Sequence, residues 1–269
     1  MNGARIGMRT VLLAILALTV TAAAQEPAEA PPAAPERIQI GLSTDRIMIR
    51  SDFSGADLTI FGSVDNADPF VSRQGRYDVV VVLEGPPRPT VVRRKDRVLG
   101  MWINTQSETF INVPASYSVS TTRAFQDMTE PGTYRQLSLG PDNIHLQPLY
   151  PDGSPATIGE FGRALRDLKR TTGLYNERVG GVQFLSQNLF RATVSLAPNV
   201  PLGTHRARAF LFKNGAFIGE SSASLGIYKA GFEQSLFEAA HRHSLLYGLF
   251  AVALAVLTGW LGSIVFRRE

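Results

Sequence analysis

The sequence predicts a mainly β protein: an exported antiparallel β-sandwich region of immunoglobulin-like type with one inserted helix, then a single C-terminal transmembrane helix. Three observations carry this. From Arg37 to about residue 228, runs of β-forming residues recur every 8 to 15 positions, broken by Gly, Pro, Asp and Asn. Within that region one stretch, 157–173, has a helical period with a T-x-x-E start. Positions 243–266 contain no Asp, Glu, Lys or Arg, and 24 residues at 1.5 Å each make about 36 Å of helix, enough to cross a bilayer with some tilt.

Taken in order, residues 1–24 place Arg5 and Arg9 before an apolar run from Val11 to Val20 and end on Ala22, Ala23 and Ala24. That is the layout of a secretory signal peptide with a small-residue cleavage site. About ten apolar residues would cover only about half of a roughly 30 Å hydrocarbon core, so a spanning anchor is the poorer reading. Residues 25–36, mostly Pro, Ala and Glu, bury almost no apolar surface and read as a disordered leader.

A β-sandwich domain is expected over 37–145 and a second β unit over 146–230, with a soft boundary at 141–155 where Pro, Asp and Gly cluster. In the first, RIMIR (46–50) alternates as a half-buried strand should. YDVVVVLE (77–84) reads as a central strand, apolar on both faces. PTVVRRK (89–95), VLGMWIN (98–104) and TFINV (109–113) are read as three separate strands. The second unit holds the helix, expected over 158–172. Thr157 and Glu160 form its capping box, Phe161, Leu165 and Leu168 its apolar face, and Gly173 its stop. Arg163, Arg166, Asp167, Lys169 and Arg170 form a solvated face, or, alternatively, an anion or lipid-headgroup contact. Strands follow at 181–186, 189–197, 205–213 and 216–228, with Lys213, Asn214 and Gly215 as a hairpin turn. Residues 231–243 read as a juxtamembrane helix, 244–266 as the span, and 267–269 as a cytoplasmic tail. Tyr247 and Trp260 suit the two membrane interfaces. Arg267 and Arg268 hold the tail inside by the positive-inside rule.

These ends decide the partner classes. The chain has 27 basic and 23 acidic residues, net +4. Arg5, Arg9, Arg242, Arg267 and Arg268, with Glu269, lie outside 25–240, so that stretch carries 22 charges of each sign. Nucleic acid is not an expected partner; inner-membrane lipid is. The bulk of the chain is expected outside the cytoplasmic membrane, in the periplasm of a Gram-negative source. There is no cysteine, which removes disulfides, thiol nucleophiles and thiolate metal sites. Neither GxxxxGK[ST] nor GxGxxG occurs, and no cofactor is expected.

No catalytic or metal site is assigned. His145 and His205 are isolated, His241 and His243 lie one residue apart beside the span, and HExxH is absent. GxSxG and SxxK are absent too. Asp65 and Asp68 do not complete a calcium-loop frame and read as a turn. The concentration of charge is Arg93, Arg94, Lys95 and Arg97, interrupted by Asp96. In a strand, 93, 95 and 97 share a face and would meet an anion or an acidic partner; alternatively, the charges protect an edge strand from aggregation. Trp102 is expected as a core anchor between sheets. Gly259 and Gly262 are three apart and do not make a GxxxG pair.

Several separated stretches in one order carry a resemblance. Arg93, Arg94 and Lys95 with GMWIN (100–104), VPASYSVSTTR (113–123), LFRATVSLAPNVPLGTH (189–205) and YGLFAVALAVLTGW (247–260) together resemble a transmembrane protein family of alphaproteobacteria, Alph_Pro_TM, over about 38–268. The resemblance implies a signal peptide, an exported domain and one C-terminal span, with no catalytic residues to carry over. The family tends to be encoded near sulfite-exporter-like membrane proteins of the TauE/SafE type, which implies an accessory role beside an anion transporter. The expected function is therefore a non-enzymatic, membrane-anchored periplasmic accessory or interaction protein supporting a polytopic inner-membrane anion transporter. The alternative is a tethered anion-sensing or ligand-binding sandwich.

Overall fold

The computed structural model describes residues 34–151, 154–230, 237 and 240–265. The signal peptide, most of the leader and of the 231–243 segment, and Arg267 and Arg268 lie outside the described residues.

Two sheets stack face to face. In the first, β1 (Arg37–Leu42), β3 (Ala56–Asp65), β11 (Leu189–Leu196) and β10 (Val182–Phe184) pair antiparallel in the order β1-β3-β11-β10. The second runs β2 (Arg46–Ile49), β13 (Ala216–Lys229), β12 (Gly203–Lys213), β4 (Tyr77–Glu84), β7 (Tyr117–Thr121), β9 (Tyr175–Val179). Its outermost pairs, β2 with β13 and β7 with β9, are parallel, where the sequence suggested an antiparallel sandwich throughout. Strand β11 lies beside β3 and β12 beside β4, so strands from both sides of residue 145 share both sheets, where the sequence divided 37–145 from 146–230. Strand pairing is non-local, and turn composition along the chain carries no record of it.

Alternation decides which side chains fill the space between the sheets. Val79, Val81 and Leu83 of β4 and Ala207, Ala209 and Leu211 of β12 meet Leu58, Ile60, Phe190, Ala192 and Val194 in one buried cluster. The opposite faces, Val80, Val82, Phe210 and Phe212, are covered by Met128, Leu139, Ile144 and Tyr175. Strand β4 is thus buried on both sides, as its run of four valines predicts. At Gly62 in β3 a Cβ would lie 2.3 Å from Phe190 Cζ and 2.5 Å from the Gln39 carbonyl oxygen, so this position has no room for a side chain.

Three short helices, α1 (Pro69–Arg73), α2 (Phe125–Met128) and α3 (Pro131–Gln136), interrupt the strands. At four to six residues each, none is long enough to show a helical period in sequence. Asp68, expected in a turn, caps α1 by accepting from the Phe70 amide at 2.9 Å, with Pro69 at the first helical position. The inserted helix, α4 (Pro155–Thr171), starts at Pro155, three residues before the expected 158. Thr157 consequently lies inside it and forms no capping box; Pro155, whose missing N–H costs nothing there, sets the start. Gly173, at φ +74°, ends it as expected. Phe161 and Leu165 are buried but Leu168 is 60% exposed. The basic face is engaged rather than simply solvated. Arg166 donates to the Ile144 carbonyl at 2.8 Å, Lys169 to the Ala115 carbonyl at 3.0 Å, and Arg170 pairs with Asp142 at 2.6 Å. Burial, with Arg88 nearby, pulls the Lys169 ammonium pKa down.

The leader ends sooner than its composition suggests. Glu36 Oε1 accepts from the Tyr77 hydroxyl at 2.8 Å and from Lys213 Nζ at 2.7 Å, which fastens the start of β1 to β4 and β12. At the other end of the chain, α5 (Ser244–Val265) has 22 residues and contains an 18-residue window with a mean hydropathy of 2.0, none of it buried. At 1.5 Å per residue it is about 33 Å long, and it is the one described helix long and apolar enough to cross a membrane.

Candidate functional site

The basic run lies on a projecting hairpin. Strands β5 (Pro87–Val98) and β6 (Met101–Pro114) pair along their whole length, and the two-residue β8 (Gln147–Pro148) adds to the base of β6. The three strands read from the sequence here are two. The turn at Leu99 and Gly100 cuts the expected strand 98–104, and β6 continues through the polar residues 105–108, which a ribbon wet on both faces can keep in its strands. The connection is Leu99 and Gly100, at φ +48° and +84°. Both central residues in the left-handed region make the type I′ geometry that matches strand twist.

Antiparallel register sorts the charges. Arg93 pairs with Ser107, Lys95 with Asn104 and Arg97 with Trp102, and directly paired residues point to the same side. Arg93, Lys95 and Arg97 therefore share one face, as their spacing predicts. An irregularity between Arg94 and Lys95 leaves Thr105 as an extra residue on β6. Arg94 points the other way and is structural. It pairs with Glu160 of α4, donates to Gln106 Oε1 at 3.1 Å, and lies 5.4 Å from the centre of the Phe161 ring. Asp96 accepts from the Thr105 hydroxyl. Among the described residues no ion pair engages Arg93, Lys95 or Arg97; Arg97 Nε donates to the Gly100 carbonyl at 3.4 Å.

The base of the hairpin is packed and its end is bare. Phe110 and Val113 are buried against Phe161 and Leu165. Beyond them Val98, Leu99, Met101, Trp102 and Ile103 are 41%, 95%, 64%, 70% and 43% exposed. Trp102 is therefore not the core anchor expected; the core tryptophan position of a sandwich needs a strand inside a sheet, and Trp102 sits on a ribbon outside both. The other four apolar residues were not singled out in the sequence, although VLGMWI is an apolar run interrupted by glycine alone. In α5, Tyr247 is 37% and Trp260 60% exposed.

Histidines and serines are placed elsewhere. His145 is exposed and His205 buried. The Nδ1 of His205 lies 3.2 Å from the Gly203 carbonyl and its Nε2 3.2 Å from Ser116 Oγ. A carbonyl can only accept, so Nδ1 carries the proton and Ser116 donates to Nε2. Both residues are buried, and the group behind Nδ1 is a carbonyl and not a carboxylate, so the pair ties β12 to the start of β7. Burial lowers the His205 pKa, opposed by the Gly203 carbonyl. The folded protein thus refuses a proton that the unfolded chain accepts below about pH 6.5. Stability should be level above that value and fall as pH drops through it, by at most about 1.4 kcal/mol per pH unit. Unfolding midpoints measured from pH 8 to 5.5 should show this slope, and His205→Gln should flatten it; an unchanged slope would assign it to another group. Among the described residues no cluster of three or more metal-ligating side chains occurs.

Known proteins add the following. A search of curated proteins finds no match. Among solved structures the chain is similar to AggA, the major subunit of aggregative adherence fimbriae type I from Escherichia coli. The two are 11% identical with a TM-score of 0.26, over 74% of this chain and 97% of that one. The family model described as "Putative transmembrane protein (Alph_Pro_TM)" matches residues 37–268. That span takes in the sandwich, the projecting hairpin and the apolar helix, and the chain belongs to this transmembrane protein family.

Proposed function

We propose that the protein is a non-enzymatic accessory of the cell envelope, anchored by α5 with its β body in the periplasm and its C-terminus in the cytoplasm, and that it supports a polytopic inner-membrane anion transporter of the sulfite-exporter kind. The observation that carries this is the hairpin itself: three cations on one face, outside any ion pair among the described residues, on a ribbon projecting from a body tethered beside an apolar helix. An exposed ribbon of this kind is a contact element.

The test is photocrosslinking in living cells from Val91 and Ser107, which share the face of Arg93. One recurrent polytopic membrane protein is expected by mass spectrometry. Its persistent absence, with the protein inserted and folded, would remove the accessory reading. The same three cations favour a second reading, capture of a small anion by the hairpin, which a blank in the crosslinking experiment would bring forward.

A further inference from the structure

We propose that the tip of the β5–β6 hairpin, residues 98–103, seats in the headgroup and upper acyl region of the same membrane that holds α5. This goes beyond the accessory role and holds whether or not a transporter is the partner.

Three observations lead to lipid. First, the tip is apolar where a soluble ribbon would be polar. Val98, Leu99, Met101, Trp102 and Ile103 are contiguous and exposed, and Trp is the side chain that favours the membrane interface. Second, the turn breaks its own local rule. A type I′ turn strongly prefers Asn or Gly at its first central position, yet Leu99 occupies it at φ +48° with 95% of its surface bare. The other type I′ turn, Asn214 and Gly215, has the expected residues. A leucine held in a strained conformation and packed on nothing gives the fold no return, whereas at the leading point of a ribbon it would be the first residue to leave water. Third, the charges stand where they should. Arg97, Lys95 and Arg93 follow the tip on one face at about 7, 13 and 20 Å from Leu99 along the strand, so Arg97 and Lys95 reach the anionic headgroups when the tip is inserted and Arg93 stands in their field.

The membrane is also within reach. Residues 230–243 are all that separate the end of β13 from the start of α5, so the tether extends at most about 50 Å. The 12 residues of β5 are roughly 40 Å long, and the part beyond Arg94, whose side chain is held by α4, carries the tip clear of the body.

The chain has two tryptophans, Trp102 and Trp260, so Trp260→Phe in the full-length protein leaves Trp102 as the reporter. In vesicles of phosphatidylcholine with phosphatidylglycerol, Trp102 emission is expected to be blue-shifted, shielded from acrylamide, and quenched by lipid brominated near the top of the acyl chains. Leu99→Asp with Met101→Asp should abolish all three effects without lowering the unfolding midpoint, since both sites are exposed. Changing Arg93, Lys95 and Arg97 to Ala should reduce docking on the anionic vesicles by about fivefold per cation, and much less on phosphatidylcholine alone. Water-like emission with full acrylamide access in the Trp260→Phe protein would overturn the proposal. So would shielding from acrylamide without quenching by brominated lipid, which would mean that protein, such as a second copy, covers the tip.

Discussion

Replacing Phe190 with Ala is expected to lower stability by about 3 to 5 kcal/mol, the range for deleting a buried aromatic ring. The ring is fully buried on the inner face of β11 and meets Phe184 edge to face at 6.0 Å between centroids. It also occupies the space that Gly62 leaves open on the neighbouring strand. Removing it empties a volume bounded by β-sheet backbone on both sides, which relaxes little. Against a typical total of about 5 to 15 kcal/mol, that is a large share. Urea unfolding of the detergent-solubilised chain, followed by near-ultraviolet circular dichroism, measures it. Gly62→Ala should destabilise as well, because a Cβ there meets Phe190 and the Gln39 carbonyl oxygen. The two substitutions together should cost less than the sum, since the first removes one of the atoms the second strikes. Strict additivity would mean that the glycine and the ring do not share this space.

Placing two arginines at the middle of α5, Leu254→Arg with Leu257→Arg, should release the protein from the membrane. Each arginine at a helix centre opposes insertion by about 2.5 to 3.5 kcal/mol, against about 0.3 to 0.6 kcal/mol contributed by each leucine lost. The sum approaches what a span of ordinary hydrophobicity supplies. After washing membranes with alkaline carbonate, the wild-type chain is expected in the pellet and the double variant largely in the supernatant. Leu245→Arg, one residue from the start of α5, should stay in the pellet because a terminal arginine reaches the interface along its own stem. Retention of the double variant would show that α5 is not what holds the chain.

Local and long-range features of the chain are unequally legible in its sequence. The apolar helix was readable because its signal is local: 24 positions without a charge need no partner to be interpreted. The valine run of β4 was readable for a similar reason, since burial on both faces writes itself into consecutive residues. The shared face of Arg93, Lys95 and Arg97 followed from the two-residue period of a strand alone. Arg94 did not separate from them by composition; its role came from Glu160 and Phe161, about 66 positions away in sequence and brought close by packing of α4. Trp102 misled for the converse reason. An aromatic residue in an apolar strand is ordinarily inside, and nothing near it in sequence says that this strand leaves the sandwich.

By itself the sequence determined the periods: strands of two, one helix of 3.6, and a spanning segment set by length and hydropathy. It thereby set the class of fold and the attachment to a membrane. The tertiary structure decided which strands are neighbours, that β3 and β4 each take one of their two partners from beyond residue 188, and that an apolar run becomes a bare tip instead of a core. Periodicity is a property of each segment's own backbone, whereas pairing and burial depend on which distant surfaces exclude water together.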